Sequence, residues 1–201
     1  MALEEYRAKR DFDKTPEPPA RPAKASRRPI FVVQEHHASR LHYDFRLEAD
    51  GVLKSWAVPK EPSMDPSQKR LAVHVEDHPV PYAKFEGSIP EGEYGAGTVM
   101  VWDKGTYKPE DDVPPNEQLA RGKINVLLHG KKLRGGFTLL RAGKGLTDSS
   151  GKQRWLLIKQ RDGYADDSWD TERPELDGSV LTGRTLNEIQ VERPGKKRRM
   201  I

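Results

Sequence analysis

Cysteine is absent from the 201 residues, which excludes disulfides and every thiolate metal site. Any metal would have to be held by nitrogen and oxygen. Nowhere do about 18 apolar residues run together, so a membrane-spanning helix is not expected. The opening "MALEEYRAKRDF" mixes acids and bases where a secretory signal would be apolar, and the chain reads as soluble and cytoplasmic. Hydrophobic residues make up only 34% against 33% charged. They gather, however, in short runs such as "GVLKSWAV", "GTVMVW" and "RWLLIK", enough for a modest core. The net charge of +4 fits a polyanionic partner without requiring one.

What is abundant is turn chemistry. Residues 1–29 carry one short helical stretch, "LEEYRAKRDF", followed by Pro16, Pro18, Pro19, Pro22 and Pro29. Proline at that density blocks helix and sheet, so this segment reads as a flexible arm that lies over the domain or swings free. From residue 30 the pattern turns to short apolar runs broken by Gly, Pro and Asp. Strands are expected at 30–34, 41–48, 52–58, 70–76, 97–102, 105–108, 123–128, 136–141 and 154–160, with short helices near 117–121 and 185–189. Regular spacing with frequent turns argues for an all-β fold, a barrel or a sandwich, with few short helices. "EADGVL" reads as a hairpin. Residues 30–165 form this domain, and 166–201 an extension ending in the basic tail "RPGKKRRM".

Five of the six histidines fall between 36 and 78. On a strand over 41–48 the side chains alternate, so His42, Asp44 and Arg46 share one face while Leu41, Tyr43, Phe45 and Leu47 build a core wall on the other. In "RLAVHVEDHP" the same alternation sets Ala72, His74, Glu76 and His78 on one face. Imidazoles and carboxylates pooled on neighbouring strands suit Mn²⁺, Fe²⁺ or Zn²⁺. Two histidines and a carboxylate on a barrel also fit a non-haem iron oxygenase. The Arg and Lys residues nearby favour a phosphate over a neutral organic substrate.

Two long blocks, "FVVQEHHASRLHYDFRLEADGVLKSWAVPKEPS" and "KRLAVHVEDHPVPYAKFEGSIPEGEYGAGTVMVWDKGTY", resemble the 3′-phosphoesterase domain of bacterial DNA ligase D. The likeness runs on through "RWLLIKQRDGYA". The resemblance implies a Mn²⁺-dependent β-barrel enzyme that heals DNA 3′ ends in non-homologous end joining. It would remove a 3′-terminal ribonucleoside and then the 3′-phosphate left behind. By the same resemblance His36, Asp44 and His78 would bind the metal, while His42, Arg46 and Tyr82 would be catalytic. Lys60, Arg70 and Glu76 would contact phosphate or substrate, and Arg10, Asp11 and Glu17 would support the diesterase step. Implied partners are a DNA ligase, a polymerase and a Ku-type end-binding protein, at the nucleoid. The contrasting reading is a non-catalytic DNA-end or ligase-docking module of the same fold.

No ligase module accompanies these blocks: "KQRDG" has the wrong spacing for a K-x-D-G lysine, and "ELDG" has no lysine. The chain is therefore expected to be a stand-alone enzyme or an excised domain. "EGEYGAGTV" lacks the Gly-Lys-Ser/Thr ending of a phosphate-cradling loop and reads as a strand-entry turn, with Glu91 or Glu93 near the site. His37 is expected to face solvent and His74 to be structural.

Overall fold

The computed structural model describes residues 3–143, 147, 151–170, 173 and 176–191; the basic tail lies outside them. Nine strands follow one another: β1 (Ile30–His37), β2 (Leu41–Ala49), β3 (Val52–Val58), β4 (Arg70–Pro79), β5 (Gly87–Ile89), β6 (Gly97–Pro109), β7 (Lys123–His129), β8 (Arg134–Arg141) and β9 (Arg154–Lys159). Eight of them close an antiparallel barrel in the order β1-β2-β3-β4-β9-β8-β7-β6, with β6 pairing back onto β1, and β5 lies along β6. Closure leaves the barrel without a free edge. The fold is thus the expected all-β barrel. Among the described residues three short α-helices accompany it, α1 (Glu4–Ala8), α2 (Pro115–Arg121) and α3 (Leu186–Val191), with a 3-10 turn at Val80–Lys84. The two strands expected at 97–102 and 105–108 are one, β6, bent by a bulge. Val33 opposes Asp103 and Gln34 opposes Val101, so Trp102 is the extra residue.

Period-two alternation decides what lies inside. Phe31, Val33, Tyr43, Phe45, Leu47, Trp56, Val58, Trp102 and Phe137 fill the main core. The alternate residues point outward, including His36, His42, Asp44 and Arg46. Leu41, expected in the core wall, is exposed, because it opens β2 at the rim. The outward polar row is nevertheless buried, since a second apolar layer covers it. Tyr6, Val32, Leu53, Tyr82, Phe85 and Val101 belong to that layer.

In β4 simple alternation fails. Leu53 opposes His78 but Ser55 opposes Val75, so two residues of β4, Glu76 and Asp77, face Lys54 alone on β3. This bulge resets the phase between Val75 and His78. His74 therefore pairs with the core residue Trp56, their rings 5.5 Å apart, while His78 joins the outer face.

The N-terminal arm lies over the domain. Tyr6 is fully buried, and its hydroxyl donates to the Pro18 carbonyl at 2.7 Å. Arg7 donates to the Ala20 carbonyl at 3.1 Å. Further on, the Ala23 N–H donates to the Gly51 carbonyl at 2.9 Å. Gly51 sits in the β2–β3 hairpin turn, where Asp50 and Gly51 have φ of 50° and 77°, the pattern a type I′ turn requires. A Cβ on Gly51 would stand 1.9 Å from the Ala23 carbonyl oxygen. Gly51→Ala should therefore free the arm around Ala23 and strain the turn by about 1–3 kcal/mol. Limited trypsin digestion should cut faster at Lys24 in this variant; equal rates would show that the turn does not hold the arm.

At the other end, Leu176 and Ile189 enter the main core. Lys132 donates to the carbonyls of Leu176 at 2.5 Å and Gly178 at 3.0 Å.

Candidate active site

The outer faces of β1, β2 and β4, the turn after β5 and the arm enclose a cavity of about 230 Å³, lined by His36, His42, Asp44, Arg46, His78 and Tyr82 among others. At one end three donors converge: one nitrogen each from His36 and His42 and an Asp44 oxygen lie within 4.8 Å of one another. Both imidazoles are fixed by backbone. His36 Nε2 donates to the Gly95 carbonyl at 2.9 Å, and His42 Nδ1 donates to the Arg40 carbonyl at 3.0 Å. Each ring therefore turns a bare lone pair toward Asp44 Oδ2, Nδ1 of His36 at 3.7 Å and Nε2 of His42 at 3.8 Å. A carbonyl behind each ring is the usual support of a metal-binding histidine. Two imidazoles and a carboxylate without sulfur suit a divalent transition metal. Burial pushes the Asp44 carboxyl up, but the positive charge beside it, the Arg46 guanidinium first, holds it well below the usual carboxylate range. The donor set is thus charged as a cation site requires.

Behind it, Arg46 is buried, 2% exposed. Its Nε donates to Gln34 Oε1 at 2.9 Å, Nη1 to Ser55 Oγ at 2.8 Å and Nη2 to Asp44 Oδ2 at 3.1 Å. Nη1 also lies 2.9 Å from His78 Nδ1. Four of the five N–H groups are thus spent on protein acceptors. Two parallel N–H groups for a phosphate are therefore not available; one Nη2 proton is left. Gln34, buried, is locked in turn by donating to the carbonyls of Tyr82 and Phe85, both at 3.0 Å.

His78 does not join the three donors. The ring stands between two guanidiniums, with Nδ1 2.9 Å from Arg46 Nη1 and Nε2 3.4 Å from Arg10 Nη2, and Nδ1 also lies 2.9 Å from the Glu76 carbonyl. Burial first, then Arg46 and Arg10, hold His78 well below the ordinary histidine range. The ring is therefore neutral at neutral pH. The unfolded chain takes up its proton below about pH 6.5, so this group removes stability as pH falls through that value, by up to about 1.4 kcal/mol per pH unit. His78→Asn abolishes that contribution. The gap in urea-unfolding midpoint between wild type and His78→Asn should narrow from about pH 7.5 to about pH 5.5. Glu61, pushed up to about 7 by burial, acts in the opposite sense but is common to both proteins. A constant gap would contradict the neutral ring.

Tyr82 packs edge-on against His78, ring centroids 4.7 Å apart. Its hydroxyl donates to Glu17 Oε1 at 2.9 Å. Burial, then the Glu17 carboxylate, raise it well above the ordinary phenol range. Arg10 donates from Nε to the same Glu17 oxygen at 2.9 Å and meets Glu76 Oε1 at 3.4 Å. Thr15 caps the other Glu17 oxygen at 2.8 Å. Glu76 also accepts from Lys9 at 3.1 Å. Arg10, Glu17 and Glu76 thus tie the arm to the rim of the cavity.

Three expected residues lie elsewhere. Asp11 is on the surface, paired with Lys14. Lys60 and Arg70 line a different cavity, of about 700 Å³, with Tyr43, Glu61 and Trp169. Arg70 donates there to the Glu61 carbonyl and to Gln68 Oε1, both at 2.6 Å. β4 runs between the two cavities, and its ends carry Arg70 and His78 apart. Glu91 and Glu93 do not reach the cavity; Tyr94, between Gly92 and Gly95, does. Gln34, Ser55 and Tyr94 are the participants that sequence reasoning missed. Gln34 and Ser55 were legible only as the outward alternates of β1 and β3.

Comparison with known proteins shows the family of this chain. The profile of the family described as "DNA Ligase D 3'-phosphoesterase domain" matches residues 34–141. "Multifunctional non-homologous end joining protein LigD" of Pseudomonas aeruginosa is 55% identical over 191 residues, 92% of this chain and 22% of that protein. The protein of the same name in Mycolicibacterium smegmatis is 47% identical over 165 residues, 80% of this chain and 21% of that one. "Multifunctional non-homologous end joining DNA repair protein LigD" of Mycobacterium tuberculosis is 52% identical over 165 residues, 80% and 20% respectively. The chain spans about a fifth of the length of these relatives. With the profile covering residues that carry the whole donor cluster and more than half of the chain, the protein belongs to the DNA ligase D 3′-phosphoesterase domain family.

Proposed function

We propose that this chain is a divalent-metal-dependent phosphoesterase that heals DNA 3′ ends, removing a 3′-ribonucleoside and then a 3′-phosphate. The observation that carries this is the pair of backbone-fixed imidazoles whose lone pairs converge on the Asp44 carboxylate. Its position beside a buried arginine–histidine pair supports a phosphate substrate. In this reading His36, His42 and Asp44 hold the metal, with Mn²⁺ as the preferred ion. His42 and His78 thereby exchange the roles expected from sequence. The bound ion would polarise a phosphoryl oxygen.

The chain's own groups do the rest. Arg46 holds Asp44 and His78 in place and offers its remaining Nη2 proton to the phosphate. Arg10 adds positive charge at the rim. An arriving phosphate brings negative charge beside His78, which offsets the two guanidiniums and lets the ring take up a proton. As water attacks phosphorus and the ester bond breaks, the protonated ring gives its Nε2 proton to the leaving oxygen as general acid. Tyr82 fixes the plane of the His78 ring and, with Glu17, anchors the arm. The relatives are named for non-homologous end joining, and we place this chain in that repair process, with DNA 3′ ends as substrate and a ligase, a polymerase and a Ku-type protein as partners.

The test is a 5′-labelled DNA primer–template with one 3′-terminal ribonucleotide, incubated with Mn²⁺, Mg²⁺ or chelator. Conversion with Mn²⁺ to a 3′-phosphate and then a 3′-hydroxyl end is expected. Conversion unaffected by chelator would remove the metal from the reading, and no product with any metal would remove the activity.

A further inference from the structure

Resting on that reading, we infer that Tyr94 is the platform on which the terminal nucleoside of the DNA end stacks, so that the enzyme distinguishes nucleoside phosphates from simple phosphate esters. Tyr94 is 42% exposed, a large ring left open to solvent. It lines the same cavity as the three donors and His78. Its position is fixed by the metal site itself. The next residue, Gly95, supplies the carbonyl that accepts from His36 Nε2. Gly95 has a φ of 77°, and the turn is closed by the Ala96 N–H donating to the Glu93 carbonyl at 3.1 Å. The ring is thus one residue away from a group that orients a metal donor.

The arm holds the ring from the other direction. Lys9 Nζ donates to the Tyr94 hydroxyl at 3.2 Å and stands 4.6 Å from the ring centroid, with Arg10 Cζ at 5.5 Å. Ile89 and Ala38 line the cavity as well and offer no side-chain donor or acceptor to a base edge. An open aromatic ring, apolar neighbours and flanking cations describe a surface that takes the π-face of any base and tracks its phosphate, without reading sequence. A phosphate ester lacking a base would leave the ring unused.

The test crosses the enzyme with the substrate. Wild type, Tyr94→Ala and Tyr94→Phe are assayed with Mn²⁺ on oligonucleotides ending in a 3′-phosphate, with the terminal base present or replaced by an abasic sugar. Loss of the base should lower kcat/KM of the wild type about 5- to 100-fold, mostly through KM. Tyr94→Ala should show the same loss on the intact substrate and no further loss on the abasic one. Tyr94→Phe, which keeps the ring, should keep the dependence on the base. If Tyr94→Ala remains as sensitive to the base as the wild type, the platform lies elsewhere and the inference falls. If the wild type turns over neither oligonucleotide, the phosphoesterase reading fails and takes the inference with it.

Discussion

Asp44→Asn is expected to fold and to lose metal-dependent turnover by about 10³-fold or more. The amide keeps the shape and leaves an oxygen to accept from Arg46 Nη2, which Asp44 now does at 3.1 Å. What disappears is the charge on one of three donors that lie within 4.8 Å of one another. Even partners one bond removed from a metal cost about 10–100-fold in affinity when lost, so the carboxylate donor itself should cost at least the upper end. An ion that polarises a phosphoryl oxygen supplies several kcal/mol to the transition state, and about 4 kcal/mol corresponds to roughly three decades of rate. Titration of Mn²⁺ followed by electron paramagnetic resonance separates the two effects. A variant that binds Mn²⁺ as tightly as the wild type would remove Asp44 from the donor set.

Arg46→Met should produce the largest loss of stability, about 3–5 kcal/mol, the usual result of stripping one partner from a buried charged network. The guanidinium bonds Gln34, Ser55 and Asp44 and contacts His78. Methionine fills the space but leaves a buried carboxylate facing no cation and a glutamine oxygen facing no donor. That loss is a large part of a typical folding free energy of about 5–15 kcal/mol. Urea unfolding reads it as a lower midpoint at unchanged slope. Arg46→Lys should restore little, because one ammonium cannot reach acceptors arranged around a planar fork. Its activity should stay low for the same reason: Asp44 and His78 lose their common support. A lysine variant with near-normal midpoint and rate would show that charge alone suffices there.

These two side chains also mark what the sequence makes legible. His42, Asp44 and Arg46 announce themselves because β2 is regular and its alternates Tyr43, Phe45 and Leu47 belong to the core. The Asp50–Gly51 turn is equally local, since two consecutive positive φ angles leave few residue choices. His78 is not legible in the same way. A single extra residue between Val75 and His78 shifts the phase of β4, and no local signal marks a bulge of that kind. Hence His74 and His78 read alike but sit on opposite sides of the sheet. Lys60 and Arg70 are near His78 in the chain, yet the barrel carries them to another cavity. The burial of Arg46 and Glu76 depends on the arm, whose proline-rich sequence specifies extended chain but not where it docks. Tyr94 enters through a turn whose glycines reveal its conformation and not the direction of its ring.

The candidate site occupies the outside of the barrel, and this separates two sets of positions that many enzymes must share. Substitutions among Phe31, Phe45, Trp56, Trp102 and Phe137 act on the interior and leave the reacting face to its own supports. Changes in the arm and in the turn around Tyr94 should act on substrate choice and leave the interior untouched. The usual conflict between robustness and activity is then confined to the few outer-face side chains that support both the fold and the site, Arg46 and Gln34 foremost. For directed evolution this makes the scaffold forgiving: stabilising substitutions can accumulate in the interior first, and new end chemistries can be selected afterwards on the outer face.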